Sequence, residues 1–133
     1  MKDRFFADSN VLLYLLDKED KKKIKAKELL FQTPIISTQV INENINVAHK
    51  RFRLSKRSIS YHIENLIIKC EVSIITTHTI QLALTIFNKY QYNYYDCLII
   101  ASGLEANCKI LYSEDMQHNQ LIEKKLRIIN PFL

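Results

Sequence analysis

Residues 5–10 read Phe5-Phe6-Ala7-Asp8-Ser9-Asn10. A short apolar run stops at an acid, and the next residues are apolar enough for a helix over Asn10 to Leu16, with Asn10 or Ser9 as its cap. The same alternation continues outward along the chain. Pro34-Ile35-Ile36-Ser37 reads as a strand, and Thr38 caps a helix running to about Phe52. Val72 to Ile75 is a strand, followed by helices over Thr77–Tyr90 and Tyr94–Glu105. Ile110–Tyr112 and Arg127–Ile129 are further strands, and helices over Lys21–Phe31 and Ser55–Lys69 complete the pattern. The strands are short continuous apolar runs rather than alternating ones. That marks a mostly parallel sheet covered by helices on both faces, an α/β fold. In such sheets ligands bind outside the carboxyl ends of the strands.

Composition narrows the function. With 133 residues the chain fits one domain, residues 1–133. A single glycine, Gly103, excludes the Rossmann fingerprint and the P-loop, each of which needs at least two near bound phosphate. No apolar stretch approaches the roughly 20 residues that span a bilayer, so no membrane partner is expected. The Lys2-Asp3-Arg4 opening leads into no signal-peptide core, and Cys70, Cys97 and Cys108 form no CxxC pair, which favours a cytoplasmic location. Nineteen Lys and Arg against fourteen Asp and Glu lean mildly toward polyanionic partners.

Four acids fall where strand ends and helix starts converge. Asp8 ends the first strand and Asp115 follows Ile110–Tyr112. Glu43 lies in the helix behind Thr38, on the face of Val40 and Val47. Asp96 sits in the first turn of a helix that is apolar almost all round and must be buried. Each has a structural reading alone: a cap for Asp8, a helix-dipole partner for Asp96, an ion pair for Glu43, a turn for Asp115. Together they would repel, and buried carboxylates are rare unless paired or metal-bound. All-oxygen ligands suit Mg²⁺ or Mn²⁺, and the chemistry that follows is phosphodiester hydrolysis.

These stretches resemble a known family. Asp8-Ser9-Asn10 closing an apolar strand, Glu43 in the next helix, Tyr95-Asp96 opening an apolar helix, Tyr112-Ser113-Glu114-Asp115 and the ending Asn130-Pro131-Phe132 look like the motifs of PIN-domain nucleases. The resemblance implies a three-layer α/β/α sandwich and a metal-dependent endoribonuclease selective for single-stranded RNA. The short form is most similar to VapC-type toxins of type II toxin–antitoxin pairs, which implies a small antitoxin partner and a homodimer. It also implies Asp8 and Asp96 as direct metal ligands, with Glu43 and Asp115 completing the site or orienting water. Glu114, beside Asp115, is an alternative for the fourth position.

Lys50, Arg51, Arg53, Lys56 and Arg57 form a basic window behind the Glu43 helix and are the candidates for guiding RNA, whether single-stranded or structured. The lysines between Lys18 and Lys27 share their window with Glu19 and Asp20, and a solvated helix explains them. Tyr90, Tyr92, Tyr94 and Tyr95 precede Asp96, where a ring could stack on a base, although packing is the commoner use. The four histidines lack zinc spacing. Two competing readings remain: a non-catalytic RNA- or protein-binding module, and an Asp8-dependent phosphatase. The second would want an acid where Asn10 stands.

Overall fold

The computed structural model describes residues 3–133; of the charged opening, Lys2 lies outside the described residues. Six strands form one sheet: β1 (Phe5–Ala7), β2 (Ile35–Ser37), β3 (Glu71–Ser73), β4 (Ile110–Tyr112), β5 (Leu121–Ile122) and β6 (Leu126–Ile129). Their order is β3-β2-β1-β4-β6-β5. All pairings are parallel except β5 with β6. The helices are α1 (Ser9–Leu13), α2 (Lys21–Leu30), α3 (Thr38–Lys50), α4 (Lys56–Lys69), α5 (Thr77–Lys89) and α6 (Tyr94–Glu105). The fold class is the α/β class expected, a mostly parallel sheet flanked by helices. Among the described residues no helix is long and apolar enough to cross a membrane.

Alternating residues of β1 serve different layers. Phe5 joins Val11 of α1 and Leu29 of α2 in one cluster, while Phe6 belongs to the larger core with Ile99 and Ile100 of α6. A Cβ on Gly103 would sit 3.2 Å from Leu126 and 3.7 Å from Phe6. Glycine thus lets α6 lie close on the sheet.

Several boundaries differ from the sequence expectation for local reasons. The first helix stops at Leu13 and tightens into a 3₁₀ turn over Tyr14–Leu16. Its cap is Asp8, not Asn10 or Ser9, and the cap of α3 is Ser37, not Thr38. The Thr38 hydroxyl instead accepts the Ile75 N–H, drawing Ile75 off the ladder, so β3 covers Glu71–Ser73 rather than Val72–Ile75. The α3 helix ends at Lys50 rather than Phe52. Both Arg51 and Phe52 donate their N–H to Val47, and Arg53 takes a left-handed φ of 50°. Strand β5 had no counterpart in the sequence reading.

The side on which strands are added switches between β1 and β4, which themselves run parallel. From β1 the chain builds outward to β2 and β3, and from β4 to β6 and β5 on the other side. The carboxyl ends of β1 and β4 therefore flank the switch point, where open α/β sheets form their clefts. The Asp8 N–H donates to Tyr112 O at 2.9 Å, locking the two exits together.

Candidate functional site

Asp8, Glu43, Asp96 and Asp115 line one cavity of about 350 Å³, although they come from four different segments. Asp8 is only 5% exposed at the exit of β1. Its Oδ1 accepts the Ser9 N–H at 2.7 Å and its Oδ2 accepts the Ser113 hydroxyl at 2.9 Å. The Ser9 hydroxyl donates to Glu43 Oε1 at 2.8 Å, joining α1 to α3. The Asn10 amide donates to Asp115 Oδ2 at 3.2 Å, while its Oδ1 accepts the Glu114 N–H at 3.3 Å. Asp96 is set by a cap: Asn93 Oδ1 accepts its N–H at 2.8 Å and starts α6 there. Gln39 ties the last two supports together, donating to Tyr95 O at 3.1 Å and to Glu43 Oε2 at 3.5 Å.

The electrostatics are those of crowded acids. Burial pushes the Asp8 carboxyl up to about 7; the Ser113 hydrogen bond opposes this, and Glu43 and Asp96 add to it. Burial also raises Asp96, with Glu43 and Asp115 contributing by like-charge repulsion. Among the described residues none of the four carboxylates forms a salt bridge. Lys50 and Arg51 line the same cavity without pairing to an acid. An unpaired, all-oxygen donor set suits a hard divalent cation. Among the described residues, however, no three acid, His or Cys side chains stand closely enough to enclose an ion by themselves. That arrangement fits Mg²⁺ or Mn²⁺, which keep several waters and lean on one or two carboxylates.

Glu114 does not join the cavity. Its Oε2 accepts from Lys22 Nζ at 2.6 Å and its Oε1 from Tyr14 OH at 2.6 Å. Burial would raise its pKa, but those two hydrogen bonds outweigh burial and hold it below the usual carboxylate value. Glu114 thus anchors the loop that carries Asp115 and is held outside the cavity that Asp115 lines. The basic window divides. Lys50 and Arg51 reach the acidic cavity, Arg57 lines a separate groove, and Arg53, on the turn between α3 and α4, and Lys56, at the start of α4, are exposed. Of the tyrosines, Tyr90 is tied to Glu123, Tyr92 to Gln117 and Gln120, and Tyr95 is 65% exposed beside Asp96. His118 accepts the Asn130 N–H and has a structural use.

Sequence reasoning read Ser9 and Asn10 only as helix caps and assigned no site role to Gln39 or Ser113. Gln39 lies one helical turn before Glu43, a spacing that places both on one face. Ser113 directly follows a buried strand, where a small hydroxyl can reach the neighbouring exit. Neither signal is specific without knowing that β1 and β4 are neighbours.

Among curated proteins none matches this chain in sequence. Solved structures share its fold. A VapC toxin of Mycobacterium tuberculosis, described as cleaving the sarcin–ricin loop, aligns with a TM-score of 0.65 at 16% identity, covering 84% of this chain and 89% of its own. A chain of a toxin–antitoxin complex from Klebsiella pneumoniae reaches 0.70 at 17% identity, covering 96% and 97%. A chain of a DNA-bound VapBC from Salmonella typhimurium reaches 0.67 at 20% identity, again covering 96% and 97%. The sequence itself matches the PIN domain over residues 5–123, and the chain belongs to the PIN-domain family.

Proposed function

We propose that this protein is a metal-dependent endoribonuclease that hydrolyses phosphodiester bonds of single-stranded RNA, acting as the toxin of a type II toxin–antitoxin pair. The observation that carries the reading is the single cavity lined by Asp8, Glu43, Asp96 and Asp115, none of which is paired to a cation among the described residues. Asp8 and Asp96 would hold the Mg²⁺ or Mn²⁺ directly, and Glu43 and Asp115 would hold its water. When bound, the cation supplies Lewis acidity at the scissile phosphate. The protein's own part is positional. Ser9 and Ser113 fix Asp8 and Glu43, Asn10 fixes Asp115, and Lys50 and Arg51 draw the phosphate into a cavity that would otherwise repel it.

Two further surfaces support the assembly. A groove of about 900 Å³ between α2 and α4 has a floor including Leu15, Leu16, Leu30 and Leu54 and a rim of Arg57 and Lys69, beside Lys23 and Lys27, which pair with Glu19. An apolar floor inside a basic rim suits an acidic amphipathic segment, the chemistry we assign to the antitoxin. On α5, Ile80, Leu84 and Phe87 form an exposed stripe at helical spacing, which we assign to a homodimer contact.

The test is cleavage of a mixed single-stranded RNA pool with Mg²⁺, with Mn²⁺ and with EDTA, using wild type beside Asp96→Asn. Metal-dependent cuts in wild type and their loss in the variant are expected, by at least about a hundredfold for removal of a group that stabilises developing charge. No cleavage by folded, inhibitor-free wild type under either metal would leave a binding module in its place.

A further inference from the structure

At the opposite end of the sheet lies a second concave surface, of opposite charge. The β5–β6 hairpin and the start of β4 enclose about 490 Å³, rimmed by Lys109, Lys124, Lys125 and Arg127 over Leu104 and Leu121. No acid lines it. On α2, by contrast, Lys22, Lys23, Lys25 and Lys27 each pair with Glu19, Glu28 or Glu114. Among the described residues Lys124, Lys125 and Arg127 have no carboxylate partner. Lys109 reaches only Asp3 at 3.7 Å, with both side chains exposed, a contact of little strength.

The hairpin turn is built to keep those cations there. Glu123 and Lys124 lie at φ of 52° and 58°, the left-handed region that glycine or asparagine adopts more easily. The Glu123 carboxylate is turned away, accepting from Lys89 Nζ at 2.8 Å and Tyr90 OH at 3.0 Å. The turn's one acid is thereby neutralised and the hairpin pinned to the end of α5, while Lys124 and Lys125 remain beside Lys109 and Arg127. Backbone strain retained with charged side chains points to a use for those side chains. The carboxyl end of α6 also borders this surface, but its last carbonyls accept the N–H groups of Ala106, Asn107 and Cys108. The residual helix-end charge of about half an elementary charge is small against four cations.

We propose that this surface is a second nucleic-acid contact, which binds backbone phosphates of a structured RNA whose scissile strand occupies the acidic cavity. The proposal rests on the ribonuclease reading and adds a preference for RNA large enough to reach both ends of the sheet. A strand of three or four residues spans roughly 10–13 Å, about three or four stacked nucleotides at roughly 3.4 Å each, so an oligonucleotide of about two or three nucleotides lying in the acidic cavity stays clear of the hairpin.

The test compares binding of a stem-loop RNA and of a short unstructured oligonucleotide, in Mg²⁺ and across salt concentrations, on an Asp96→Asn background that prevents cleavage. Lys124→Gln with Lys125→Gln is expected to weaken the stem-loop several-fold and leave the short oligonucleotide unchanged. The slope of log affinity against log salt should flatten by about 1.8, at about 0.9 per lost phosphate contact on a duplex. Lys124→Gly removes one cation and relieves the left-handed backbone, so weaker stem-loop binding with an undiminished melting temperature separates lost contact from lost folding. Unchanged affinity and slope, on a stem-loop that the parent binds, would overturn the second contact and leave the ribonuclease reading intact. If the parent binds neither RNA and wild type cleaves none, both readings fall together.

Discussion

Asp8 is a carboxyl buried beside other carboxyls, and its titration measures what that arrangement costs. Its pKa is about 7 in the folded chain against an ordinary 3.8. Between those values the folded protein keeps a proton that the unfolded chain has lost, so the contribution of Asp8 to stability declines as pH rises from about 4 to about 7. Asp8→Asn keeps a cap-competent side chain and removes the ionisation. In metal-free buffer it is expected to be more stable than wild type near pH 8 by on the order of 2–4 kcal/mol, an advantage gone near pH 4. Denaturant unfolding at the two pH values checks this; equal stability at both would show that Asp8 is not destabilised in the fold. At this scale the acids themselves were legible, because a polar stop after an apolar run is a strong signal. Their supports were not. Glu114 is drawn away from the cavity by Lys22 and Tyr14, which lie about a hundred positions away and reach it only through the tertiary fold.

Among the elements, α6 was the easiest to read: its residues from Cys97 to Gly103 are all buried, as an unbroken apolar helix requires. Strand β5 was the hardest. Leu121 and Ile122 are too few for a periodic signal, and the turn after them is Glu123-Lys124-Lys125 rather than the Asn-Gly pair that announces a hairpin. Helix α5 carries the element-level expectation. Its inner face supplies Thr79, Ala83 and Ile86, while Leu84 is 46% exposed on the outer stripe. Leu84→Glu places a charge at the centre of the assigned dimer contact without touching the core. Sedimentation is expected to show a homodimer for wild type and a monomer for the variant, with the melting temperature of the separated chain little changed. A wild type that sediments as a monomer would remove the contact.

For the molecule as a whole, the α/β class could be read because its signal, short apolar runs alternating with helical segments, is local and repeated. Strand order could not, since nothing in Phe5-Phe6-Ala7 states that Ile110–Tyr112 will be its neighbour. A ligand that neutralises the acidic cavity stabilises the entire fold by mass action. A divalent cation at about a hundred times its dissociation constant contributes about 2.7 kcal/mol. At roughly 4 °C per kcal/mol for a chain of this size, the melting temperature of wild type should rise by about 10 °C, and that of Asp96→Asn by clearly less. Calorimetry with and without Mg²⁺ or Mn²⁺ measures both.

The lock between Asp8 and Tyr112 joins two exits that are far apart along the chain. A ribosome must emit Asp115 and let β4 dock beside β1 before the last carboxylate arrives. No amino-terminal fragment that stops before Asp115 can therefore assemble the cavity. Under the ribonuclease reading, a copy cut short before Asp115 carries at most three of the four acids and lacks β6, and is expected to cleave no RNA.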